Sequence, residues 1–146
     1  MTITKKIEQG FGNGVNGLYD VLKWFNNMPV DAEITIGAEG TNTIDAAIQL
    51  KDYLGNNVTI PTYLPAYCCT TSAGTTKETT TVSTEAAILT DGEILVVTAK
   101  TEYTLLSEAN GKIGVRFTDT GTNSFYFAIV LPTGRIVVSD VITFTT

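Results

Sequence analysis

Histidine is absent from all 146 residues. That removes imidazole triads, histidine metal sites and near-neutral imidazole acid–base chemistry together. Only two cysteines occur, the neighbours Cys68 and Cys69. Adjacent cysteines cannot staple distant parts of one chain, and a disulfide between chain neighbours is strained, so two reduced thiols facing opposite sides of a strand are expected. With no histidine, and neither Lys nor Arg close in sequence, nothing activates either thiol as a nucleophile, and inert structural thiols follow. Charge is scarce too, at 16% of residues against ~25% in an average soluble protein. The nine Lys and Arg are scattered singly apart from Lys5-Lys6, in a chain of net charge −6. Binding a phosphate backbone needs clustered cations, so no nucleic-acid partner is expected. No stretch approaches the ~18 apolar residues of a membrane span, and Met1–Glu8 lacks the apolar segment of a secretory signal. The expectation is a chain made and kept soluble inside a cell, with no membrane partner.

What the chain does have is threonine, 26 residues of it. A β-branched hydroxyl residue suits the solvated face of a strand, so the excess favours sheet over helix. At this length one domain with a single sizeable core is expected, with an appended arm at the start. Residues 1–30 form that arm, and residues 31–146 the β-domain.

In the arm, Gly10, Gly12, Gly14 and Gly17 make a hinge-like lead-in. Leu18, Val21, Leu22 and Phe25 then follow at the spacing of a short amphipathic helix, capped by Asn16 and ended near Pro29. Three turns of helix are marginal alone in water, so this face, with Trp24 beside it, is expected to dock on the β-domain or on a partner chain. From Asp31 the apolar period becomes two. Ala32–Ile36 and Ile44–Leu50 read as half-buried strands, and Val58–Tyr67 as a third, demoted to an edge or bulged by Pro61 and Pro65. Thr70–Thr84 is rich in Thr and Ser and reads as a long exposed loop. Asp91-Gly92 and Asn110-Gly111 mark hairpins, joining Ala86–Leu89 to Ile94–Ala99 and Tyr103–Leu106 to Ile113–Phe117. Ser124–Leu131 is apolar on both faces and reads as a central strand covered on both sides, and Arg135–Phe144 completes the sheet. Eight or nine short strands with regular turns predict an all-β fold, a two-sheet antiparallel sandwich, with an open barrel as the alternative.

The chemical motifs are weak. Gly12-Asn-Gly14-Val-Asn-Gly17 fits a dinucleotide fingerprint, but the buried strand and βαβ unit that such a site requires are missing around it, so it is read as a hinge. Asp91 with Glu93, or Asp119, could offer oxygens to a cation, yet no segment has the acidic spacing of a calcium loop and turn formation accounts for them. Asn57-Val-Thr59 is a sequon without a secretory context. No catalytic, cofactor-binding or metal-binding residue is therefore assigned, and no enzyme activity is expected. Tyr126, following the Asp119-Thr-Gly121 turn, looks like the corner tyrosine of immunoglobulin-like sandwiches, with extra residues between turn and ring.

From about Ala32 to Phe144 the chain resembles a family of small immunoglobulin-like proteins of tailed bacteriophages and prophages. The likeness is carried by Ile44–Asp52, Leu106–Gly111 and Phe125–Phe144, which are packing and turn positions. The resemblance implies an immunoglobulin-like β-sandwich serving as a non-enzymatic virion component, assembled in the host cytoplasm. Within that class it implies a capsid decoration or cement protein, with the major capsid protein as partner and a homo-oligomeric state. Phe11, Leu18, Trp24 and Phe25 are the expected partner-binding residues, with the Thr70–Thr84 loop as a second contact. The alternative is a receptor- or glycan-binding module of a tail or head fibre, stacking Tyr63 and Tyr67 on sugars.

Overall fold

The alternation that begins at Asp31 builds ten strands in a computed structural model that describes residues 27–79 and 82–145. They are β1 (Asp31–Ile36), β2 (Thr43–Lys51), β3 (Tyr63–Cys69), β4 (Thr84–Ile88) and β5 (Glu93–Thr98), then β6 (Glu102–Leu106), β7 (Lys112–Thr118), β8 (Ser124–Val130), β9 (Ile136–Val138) and β10 (Ile142–Thr143). All pairings are antiparallel. One sheet runs β1-β2-β7-β4; the other runs β10-β8-β3-β6-β5, with β9 also on β8. No helix occurs among the described residues. The expected arm helix, the glycine hinge and the residues Phe11, Leu18, Trp24 and Phe25 all lie outside them.

The two sheets close on one core because each strand turns alternate residues to the same side. Ile44, Ala46, Ile48 and Leu50 of β2 and Val115 and Phe117 of β7 face Leu64, Leu105, Phe125, Phe127 and Ile129 of the second sheet, all buried. Phe117 joins the layers directly. Its ring lies edge-on to Phe125 at 5.3 Å and to Phe127 at 5.0 Å, a geometry that adds to the apolar burial.

Several strand roles differ from the sequence reading. β3 is internal, between β8 and β6, although it contains Pro65. The Cys68 N–H donates to Thr101 O at 2.8 Å, so even-numbered positions of β3 address β6 and Pro65's missing donor faces the β8 side. There the ladder begins only at Ala66 opposite Ile129, and the proline costs no bond. Asp91-Gly92 and Asn110-Gly111 are not hairpins within a sheet. Each carries the chain from one sheet to the other, β4 to β5 and β6 to β7. Gly92 has φ +90°, and a Cβ there would lie 2.6 Å from Leu106 O, so only glycine makes that crossing. The last strand is split: β9 and β10 pair with β8 in registers that differ by one residue. At the slip the Ser139 N–H donates to Phe127 O and the Ser139 hydroxyl accepts from Phe127 N–H at 3.0 Å, a bulge in which a side chain replaces a ladder acceptor.

The Thr-rich stretch is also different over its first half. Thr70 N–H donates to Thr76 O, and Glu78 N–H to Cys68 O, so residues 70–78 fold back over the outer face of the six-stranded sheet. Gly74 sits buried against Val138 and Ile136, and its carbonyl accepts the Tyr67 hydroxyl at 2.7 Å. Val82 is buried in the main core. Tyr126 packs on this same outer face with Tyr67 and Cys69. The turn before it is closed by Asp119, whose carboxylate accepts from Ser83 N–H, Gly121 N–H and the Asn123 amide.

Candidate interaction surface

The outer face of the six-stranded sheet is built in rows by strand register. Tyr63, Leu106 and Glu93 stand side by side across β3, β6 and β5, and Pro65, Thr104 and Leu95 form the next row. Because β5 lies at the sheet's end, its apolar run Ile94-Leu95-Val96-Val97 has a strand neighbour on one side only among the described residues. Leu95 is 67% exposed and Val97 62%, and Tyr63 at the far end of the first row is 70% exposed. Scattered apolar residues on a surface need no explanation, but an apolar sheet edge does, since its unpaired N–H and C=O groups are a template for another strand. Beyond Tyr63 the apolar surface continues into a shallow groove of about 380 Å³ lined by Met28, Pro29, Ile60, Pro61 and Pro132.

The opposite end of the face is polar and locked. Glu102 takes the Lys77 ammonium on one oxygen and the Thr98 hydroxyl on the other at 2.5 Å, and the lysine bond chiefly lowers the Glu102 pKa. The Lys77 ammonium lies 5.4 Å from the centre of the Tyr67 ring, within cation–π range. Tyr67 itself is buried, which raises its pKa, and its hydroxyl is committed to Gly74. Of the two tyrosines considered for stacking on a sugar, only Tyr63 presents its ring.

The two thiols point to opposite faces of β3. Cys68 lies in the inter-sheet core and Cys69 beneath the 70–78 fold, both free and buried. Burial pushes both thiols up, Cys68 strongly so, with Cys69, Glu78 and Glu85 adding to the Cys68 shift. Such groups stay protonated and unreactive at neutral pH. Of the carboxylates weighed for cation binding, Asp119 is buried with both oxygens accepting hydrogen bonds, and Glu93 stands in the exposed row beside Leu106. No group of three or more acidic or thiol side chains gathers among the described residues.

The apolar run in Ile94–Ala99 marks a strand but not that it ends the sheet. That position is set by which strand crosses between sheets at Gly92, a tertiary choice with no local signal. No family model, curated protein or solved structure matches this chain.

Proposed function

We propose that this chain is a non-enzymatic structural protein of a tailed-phage virion, an immunoglobulin-like β-sandwich of the capsid decoration or cement type that binds the major capsid lattice. The single observation that carries the reading is the exposed apolar edge and row formed by Tyr63, Leu95 and Val97, a surface suited to other protein chains rather than to a small substrate. The buried polar side chains fit the same reading. Asp52, Asp119 and Ser139 are each committed to closing a turn or a bulge, and the surface cations Arg116 and Lys77 are paired with Asp45 and Glu102. A lattice of repeated sites multiplies weak contacts into firm attachment, so a small apolar edge suffices where many copies are bound together.

The deciding measurement is the number of copies per purified virion, by quantitative mass spectrometry against the major capsid protein. Hundreds of copies are expected. A dozen or fewer would move the protein to the tail, the portal region or a fibre, and its absence from particles would end the virion reading.

A further inference from the structure

The free edge of β5 is self-complementary, and we propose that two copies of this chain pair through it, antiparallel and two-fold, with Leu95 of each copy opposite Leu95 of the other. The direction of every backbone group on β5 follows from the sheet. Because Thr101 O accepts from Cys68 N–H, residues Tyr103 and Leu105 of β6 address β3, while Thr104 and Leu106 address Leu95 and Glu93 of β5. Ile94 and Val96 are thereby left with N–H and C=O directed away from the sheet. In a two-fold pairing centred on Leu95, Ile94 of one copy exchanges both bonds with Val96 of the other. The symmetric pair does the same, giving four ladder hydrogen bonds from an edge that has no strand partner among the described residues.

The side chains agree with that register. The two Leu95 side chains meet on the outer face, flanked by Val97 of each copy. The other edges are less suited. β1 carries Asp31 and Glu33, with Arg135 across Asp31 at 3.2 Å; β9 and β10 are broken by the Ser139 bulge; and β4 loses register between Thr84 and Ala87. On β5 the corresponding irregularity falls after Val96, past the residues that would pair. It has no proline and no lysine, the usual guards of an edge. One strand pair buries less than the ~1,200 Å² of a standard interface. Association is therefore concentration-dependent, and strongest where copies are already held side by side. The inference rests on β5 and does not require the virion reading.

Cysteine cross-linking in the full chain tests the register. Opposed residues at the centre lie about 4.5 Å apart between Cα atoms, inside disulfide range, whereas two copies of residue 97 stand four residues apart along the strands, about 13 Å. Leu95→Cys is expected to form a disulfide-linked dimer under copper phenanthroline, and Val97→Cys to remain monomeric. The buried Cys68 and Cys69 do not compete, and circular dichroism verifies the fold of both variants. Sedimentation of the wild-type chain should show a monomer–dimer equilibrium within about 1 mM that Leu95→Lys abolishes. Cross-linking of L95C no faster than V97C, a wild-type chain monomeric throughout that range, or association undiminished in L95K would each overturn the pairing. None of these results changes the copy number per virion, so the two ideas fail separately.

Discussion

Tyr103→Phe is expected to stabilise the protein. Tyr103 is fully buried on β6, its ring 6.4 Å from that of Phe127, and its hydroxyl has no hydrogen-bond partner among the described residues. Burial chiefly, then Cys68 and the Glu85 carboxylate beside it, raise its pKa well above the usual phenol value against an opposing pull from the Ala86 backbone, so the group stays a neutral O–H, with Glu85 and Ala86 close by but outside hydrogen-bond geometry. A buried polar group without a partner costs about 1–3 kcal/mol. Removing the oxygen leaves a void of roughly 10–15 Å³, worth about 0.3 kcal/mol at the observed cavity slope. The difference favours phenylalanine by about 1 kcal/mol, or a Tm rise of about 2–4 °C in a chain of this size. Urea unfolding of both proteins, followed by far-UV circular dichroism, gives the comparison at constant m-value. A loss of about 1 kcal/mol or more on substitution would refute the reasoning, because it would mean that the hydroxyl is satisfied by Glu85, by the Ala86 backbone or by an ordered water.

Two further outcomes follow from bonds already described. Tyr67→Phe removes the donor to Gly74 O, leaving a buried carbonyl unpaired, and should cost about 1–2 kcal/mol; amide exchange should quicken within residues 70–78 before the rest of the sheet, and unchanged exchange there would show that the hydroxyl does not pin the segment. The bidentate Asp45–Arg116 pair, with bonds of 2.7 and 2.8 Å, lowers the Asp45 pKa, chiefly through the arginine hydrogen bond. Its contribution is thus present above the unfolded carboxylate value of ~3.9 and lost as pH falls through the lower folded value. Asp45→Asn should therefore lower Tm slightly at pH 6, the effect being small for so exposed a pair, and the gap should close by pH 2; a gap that persists in acid would assign the effect to something other than charge.

Much of the fold was legible because period two survives wherever one face is buried. Ile44 to Leu50 and Ile113 to Phe117 were placed on the right strands by alternation alone, and Cys68 and Cys69 on opposite faces by simple parity. What could not be read was which strands share a sheet. Asp91-Gly92 and Asn110-Gly111 carry the same local chemistry whether the next strand folds beside the last or across from it, and only the packing of the whole core decides. Pro65 misled for a related reason. A missing N–H demotes a strand only if a ladder bond is needed there, and here the pairing with β8 starts one residue later, at Ala66. The edge role of β5, on which the interaction surface depends, follows from those same crossings and was hidden with them.

The crossings at Gly92 and Asn110-Gly111 also bear on how the chain folds. Because they keep sequence neighbours apart, central ladders join distant segments: the Asp45–Arg116 pair between β2 and β7 spans 71 residues, and the Cys69–Tyr126 contact between β3 and β8 spans 57. The β1–β2 and β5–β6 hairpins are local, one in each sheet, but neither inner ladder gains anything until a long loop has closed, so completing the sheets belongs to the slow, millisecond-to-second regime of non-local β topologies. Until β8 arrives, Ile94–Val97 waits beside an unfinished sheet. The segment best fitted to join two finished molecules is then also the one most able to join two unfinished ones.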